Sequence, residues 1–444
     1  MRGLAAVFVA LLALVAAPAS ALTVETVRSP HGITAWLVED HSQKVISLNF
    51  SFSGGAASDP ADKAGLSALA MGLLDEGAGP YDSGQFQGKL DDLSAGVSFD
   101  ATQDYLQGSL KTLSPNRDEV FELLRLALSE PRFDPQAVAR VHAQLDQLID
   151  SQEQNPDALV TLAWYRAQFP DHPYARSRYG TKASAAGITV DDLKEFARTR
   201  LGRDRLKVAV VGDITPGDLE MLLDRTFGGL PEVAKEPVDP AFRAPADTGK
   251  VVLVKKPIPQ SIIRFGEQGV GIHDKDIYAT MVLNYVLGGS TFTSRLGEEV
   301  REKRGLAYTI GTTTAHLEHA DVLIGYVGTQ NAKVAETVQI IRKEWTRMRD
   351  DGPTEKEVED AKTYLIGSYT IGLDSTGAIS ERLLGLQENG FPPDYITQRP
   401  KLVGAVTLDD VRRVARHVLD PDKLSFVIVG APEDFKPDEV VQSQ

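Results

Sequence analysis

The chain has no cysteine in its 444 residues. That excludes disulfides, thiolate nucleophiles and cysteine metal sites, and leaves stability to the apolar core. Positive charge is also scarce: 47 Lys and Arg stand against 62 Asp and Glu, a formal net charge of -15. Such a surface argues against nucleic acid or an anionic membrane as the main partner. Familiar catalytic loops are missing too. Gly288-Gly289 lacks the G-x-G-x-x-G and Walker A spacings and reads as a helix terminus and turn, and no G-x-S-x-G elbow occurs. Of the eight histidines only His316 and His319 form a close pair. They stand between strand-like Tyr308 to Thr314 and Val322 to Val327, so the pair reads as a hairpin tip, a solvated turn rather than a metal site.

What is present is an ordinary globular composition, 42% hydrophobic and 25% charged, in a chain too long for one core and suited to two domains. Met1 to Ala21 reads as a secretory signal, with Arg2 as the positive n-region, an apolar stretch from Leu4 to Ala17, and Ala19-Ser20-Ala21 as the cleavage site. The apolar run is short for a membrane anchor and ends in Pro18, so the expectation is a cleaved, soluble, periplasmic protein.

Alternating and helical patterns then follow one another. Strands are expected at Thr34 to Glu39, Val45 to Phe52, Gly96 to Ala101, Tyr105 to Thr112 and Leu206 to Val211, with helices at Ser83 to Ala95, Asn116 to Ser129, Pro135 to Ser151 and Thr189 to Arg200. Pro231 to Gly249, rich in Pro, Ala and Asp without an apolar period, is a linker. Beyond it the first half recurs. Thr189 to Asp213 aligns without gaps on Thr407 to Ala431, 218 residues later, with ten identities in twenty-five positions. Both copies read as a capped helix, a short turn and a buried strand ending in glycine. The chain is therefore expected to hold two duplicated α+β domains, 22–230 and 250–440, joined by the linker 231–249.

The stretch Gly65-Leu66-Ser67-Ala68-Leu69-Ala70-Met71-Gly72-Leu73-Leu74-Asp75-Glu76-Gly77 carries Leu66, Leu69, Ala70, Leu73 and Leu74 at helical spacing, the stripe of a core-facing helix. Asp59-Pro60 upstream reads as its N-cap and first residue. The opposite face, Ala68, Met71 and Gly72, is small or apolar, so a second layer is expected to cover it.

In this frame, and in Leu287-Gly288-Gly289-Ser290, Ser294-Arg295-Leu296 and Arg301-Glu302-Lys303-Arg304-Gly305-Leu306-Ala307-Tyr308, the chain resembles the pitrilysin/insulinase family of zinc peptidases, the inverted zincins. The resemblance covers essentially the whole chain after the leader. It implies two domains with mixed sheets flanked by helices, facing each other as a clam-shell. It also implies a helix bearing H-x-x-E-H, whose histidines bind zinc and whose glutamate activates water. Here those positions hold Ala68, Met71 and Gly72, none of which ligates a metal or accepts a proton. The family's third ligand falls near Leu148, ahead of Asn155-Pro156, and the neighbouring Asp146, Asp150 and Glu153 read as a solvated helix face. Arg301 and Tyr308 match the pair with which family members hold the substrate peptide. Their spacing alone also fits a cation at a helix end and a half-buried strand tyrosine.

The resemblance thus implies a non-catalytic, substrate-binding subunit with no metal or cofactor of its own. Zinc would come from an H-x-x-E-H partner chain in a peptide-degrading complex. The alternative is a structural scaffold of the kind found among the core subunits of respiratory complexes.

Overall fold

The structure, a computed structural model, describes residues 22–235, 240–290 and 292–442; the expected leader, 1–21, lies outside the described residues. Two six-stranded mixed sheets organise the chain. The first contains β1 (Glu25–Arg28), β2 (Thr34–Glu39), β3 (Val45–Ser53), β4 (Gly96–Ala101), β5 (Tyr105–Leu113) and β6 (Leu206–Gly212), in the order β1-β2-β6-β3-β5-β4. The second contains β7 (Val251–Lys255), β8 (Gln260–Gln268), β9 (Ala307–Leu317), β10 (Ala320–Gln330), β11 (Ser425–Gly430) and β12 (Glu439–Gln442), in the order β12-β7-β11-β8-β10-β9. The two orders match strand for strand from β2 and β7 onward. In each, one parallel pair (β2 with β6, β7 with β11) is followed by antiparallel neighbours.

The helices that position the sites are α1 (Leu66–Met71), α2 (Pro135–Gln154), α3 (Pro156–Gln168), α4 (Val190–Thr199), α5 (Thr376–Glu388) and α6 (Leu408–Val418). The sequence repeat falls on α4 with β6 and on α6 with β11. Thr189 and Thr407 accept hydrogen bonds from the amides of Asp192 and Asp410, closing the same capping box at both helices. Each helix leads into a strand buried between layers, which explains the unbroken apolar runs Val208 to Val211 and Phe426 to Val429. Only the outer edges differ, where β1 runs antiparallel to β2 and β12 parallel to β7.

The two halves exchange cover. Helix α5 belongs to the second half of the sequence, yet it lies across β3 and β6 of the first sheet. Its Leu383, Leu384 and Leu386 pack on Trp36, Val38, Ala209 and Val211. Ser47 and Asn49 of β3 bond the hydroxyls of Thr376 and Ser380 at 2.8 and 2.6 Å. Reciprocally, α3 of the first half lies on β8 and β11. Its Val160 and Trp164 join Val254, Ile324, Val427 and Val429. A Cβ at Gly266 would stand 2.5 Å from the carbonyl of Leu323 on the neighbouring strand and 3.0 Å from Cζ2 of Trp164, which is why that strand position has no side chain. The linker is tied down as well, Arg243 N–H donating to His319 O at 2.7 Å and Ala246 N–H to Gln168 O at 2.9 Å.

Candidate functional site

The stretch expected to be one long helix folds as a six-residue helix, α1, with Gly65 as its N-cap in the left-handed region at φ 99°. Glycine is required there by that backbone angle and by the carbonyl of Tyr179, 2.5 Å from where a Cβ would lie. Asp59 is therefore not the N-cap residue. It caps from a distance instead: its carboxylate accepts the backbone N–H and the hydroxyl of Ser67 at 3.0 and 2.6 Å, satisfying an amide of the first turn. The same carboxylate is fully buried and lies 3.5 Å from Arg200, itself bonded to the carbonyl of Gly54 at 2.6 Å. Burial pushes Asp59 up while Arg200 and Ser67 pull it down.

The side of α1 where the family carries its ligands is expected to be covered, and only Met71 is fully so. Met71 is 0% exposed, and Ala68 and Gly72 are half-buried. The cover comes from α4, α2 and β4. A Cβ at Gly72 would stand 3.2 Å from the carbonyl of Ala68 and 3.5 Å from Cγ1 of Val141 on α2, so a histidine there would start against packed atoms. Helix α2 turns Ala137, Val141, Leu145 and Ile149 inward and leaves Leu148 45% exposed; Asp150 pairs with Lys182 at 2.6 Å on the outer face. Past the end of α1, burial raises Asp75 to about 6, whereas Arg140 holds Glu76 below its ordinary value. None of this builds a three-ligand zinc site at α1.

Replacing Met71 by glutamate tests how completely that face has become core. The new carboxylate would enter an apolar site without a counter-ion. We expect Met71→Glu to cost about 2–3 kcal/mol at pH 7 in urea unfolding. Burial raises the folded-state pKa, so the loss should be small below about pH 4.3 and grow as pH rises through the raised value. A variant as stable as the parent at pH 7 would mean that α1 faces water.

Arg301 and Tyr308 are brought together in the second half. Arg301 lies in a π-helical turn, Gly297–Glu302, and Gly305 at φ 59° ends that turn with its N–H on Arg301 O at 2.9 Å. Tyr308 sits in β9, the edge strand, where pairing with β10 skips between Ala307 and Ile310. Such a bulge re-aims a side chain, and here the phenol is 84% exposed. The guanidinium stacks between two rings, its Cζ 5.2 Å from the Tyr308 centroid and 4.4 Å from that of Phe292. Phe292, 66% exposed, was not singled out from the sequence, where it stands as a lone aromatic among Ser and Thr. Enclosed Nη1 of Arg301 has no hydrogen-bond partner, and Glu302 is 3.6 Å from Nε. The result is a planar cation in contact with two aromatic rings. It packs on second-half elements, whereas α1 packs on first-half elements.

The hairpin tip at His316 to His319 is not the free turn expected. It docks on the first half: Glu318 N–H donates to Asp104 Oδ2 at 3.1 Å and His319 N–H to the Tyr174 hydroxyl at 3.0 Å. His316 bonds Asp321 at 2.8 Å within the hairpin. Sequence periodicity marks a turn but not what it touches.

Comparison with known proteins places these features. The family model described as Insulinase (Peptidase family M16) matches residues 34–182, and the one described as Peptidase M16 inactive domain matches 187–365. A relative called non-peptidase homolog YmxG, from Helicobacter pylori, is 25% identical over 394 residues, spanning 88% of this chain and 90% of the relative. An uncharacterized zinc protease of Streptomyces coelicolor is 30% identical over 291 residues, 64% of this chain and 62% of the relative. The solved structure of a peptidase M16 inactive domain from Pseudomonas fluorescens superposes with a TM-score of 0.86 at 26% identity, over 94% of this chain and 100% of that one.

Proposed function

Since the chain belongs to the insulinase family, peptidase M16, as an inactive member, we propose that it is the substrate-holding subunit of a heteromeric zinc peptidase. It lends Arg301 and Tyr308 to a site whose zinc and general base come from an H-x-x-E-H partner. The observation that carries this reading is the Arg301 guanidinium held against Phe292 and Tyr308, with the Tyr308 phenol 84% exposed on an edge strand. A guanidinium fork and a phenol at the end of a stiff ring suit the carbonyls of an extended peptide, and such donors polarise the one under attack. At α1 this chain supplies no chemistry of its own. The assembled pair would degrade peptides, and the leader read at Met1 to Ala21 assigns the work to the periplasm.

The test is zinc content and peptide hydrolysis of the purified chain, alone and mixed with an H-x-x-E-H relative from the same organism. We expect inertness alone, and in the mixture a rate well above that of the relative by itself. A partner that cleaves at full rate without this chain removes the proposal and leaves the scaffold reading.

A further inference from the structure

We propose that Asp104, Glu318 and His319 form a site for a zinc-class divalent cation that ties the two halves of the chain together. One ligand atom from each of the three lies within 4.8 Å of the others. Asp104 comes from the turn between β4 and β5 of the first sheet, while Glu318 and His319 come from the hairpin joining β9 and β10 of the second. None of them belongs to α1.

The site is built before any ion arrives. Asp104 is 7% exposed and fixed, its Oδ1 accepting the Tyr174 hydroxyl at 2.5 Å and its Oδ2 the N–H of Glu318 at 3.1 Å. Each carboxylate oxygen keeps a lone pair. The backbones that carry the other two ligands are pinned as well, through Asp104, through Tyr174, and through Arg243 N–H on His319 O. The Glu318 side chain is exposed and that of His319 half-buried, so rotamer changes at both reach an ion, Glu318 exchanging a contact it already makes. Ligand atoms around tetrahedral zinc stand about 3.4 Å apart, so rotamer changes of roughly an ångström close the site. Water would fill the fourth position.

The charge also calls for a cation. Among the described residues no lysine or arginine pairs with Asp104; its donors there, the Tyr174 hydroxyl and the Glu318 N–H, are neutral. Burial pushes its carboxyl up. Burial first, and then the carboxylates of Glu318, Glu388 and Asp104, push the neighbouring Tyr105 phenol up as well. Three carboxylates thus act on one poorly hydrated region, where Lys207 faces Glu318 and Glu388 and Arg176 and Arg243 act on the neighbouring His172. Imidazole with carboxylates selects zinc and its transition-metal neighbours over magnesium or calcium, which favour all-oxygen sites.

Metal-stripped full chain, titrated with Zn²⁺ and separately with Co²⁺, decides the matter. One equivalent of Zn²⁺ should bind, Co²⁺ should give the visible absorption of a four-coordinate site, and the thermal midpoint should rise. His319→Gln should weaken binding at least about a hundredfold, more than loss of a residue that merely orients a ligand, and cancel the thermal rise. The parent midpoint in chelator should persist in this variant, because the half-buried ring only lies beside His172 and Tyr174, at 6.1 Å from each. His41→Gln, at the exposed cluster of His41 with Asp213 and Glu39, should leave binding unchanged. Failure to take up Zn²⁺, uptake unaltered in His319→Gln, or loss in His41→Gln instead would each overturn the site and leave the cluster as a hydrogen-bonded latch. Because the readout is metal on the isolated chain, the result is independent of whether the chain assists a peptidase.

Discussion

Arg301→Ala should lower peptide turnover by the assembled pair by about 10²–10³-fold while leaving assembly intact. That is the usual loss when one preorganised donor to a developing oxyanion is removed. The geometry explains why the loss should fall on kcat. The guanidinium is held against Phe292 and Tyr308 before substrate arrives, so its orientation is set in advance and only the enclosed Nη1 must be uncovered. Tyr308→Phe keeps the stacking ring and removes only the hydroxyl, for which about tenfold is expected. Phe292→Ala keeps both donors and frees one face of the cation, so its effect should lie between the two. The check is kcat and KM for a fluorogenic peptide, with co-elution of the two chains as the control for assembly. Turnover unchanged in the Arg301→Ala and Tyr308→Phe chains would favour a scaffold, whose contacts do not depend on either donor.

Trp164→Ala should cost about 3–5 kcal/mol in urea unfolding, the range for deleting a large buried aromatic. Trp164 is fully buried and meets Tyr165 edge-on at 5.3 Å. Its ring lies over Gly266 of the opposite half's sheet. The cavity would therefore open between the halves rather than inside one of them. Trp164→Phe should recover part of the loss, and in Trp164→Ala the unfolding of the two halves should separate further than in the parent. A loss below about 1 kcal/mol would mean that α3 contributes little to the second half.

Periodicity made most of the elements legible. The strands at Thr34–Glu39 and Gly96–Ala101 fall where the alternation puts them, and the 218-residue repeat foretold that the two sheets share one strand order. What escaped was partnership. The apolar faces of α3 and α5 announce burial, yet nothing local says that each will cover the other half's sheet. Asp59-Pro60 has the form of an N-cap, but Gly65 breaks the chain direction and turns Asp59 into a remote cap paired with Arg200. Arg301 and Tyr308 were legible through their family frame. Phe292, which completes the stack, was not, because an isolated aromatic in a Ser/Thr turn carries no period. The docking of His319 depends on Tyr174 and Asp104, more than a hundred residues away in sequence.

The exchange of helices also sets a clock. When α3 emerges during synthesis, the strand β11 that must meet Trp164 is still roughly 260 residues from completion, a wait of roughly 13–50 s at about 5–20 residues per second. Until then the ring, although it meets Tyr165 and Phe169 beside it, lacks the complete sheet that will cover it. A neighbouring copy at the same stage offers the same unfinished surface, and pairing between copies yields intertwined dimers in which each molecule lends its helix to the other. Crowded expression should therefore favour exchange between molecules, and slow, dilute production the closed single chain.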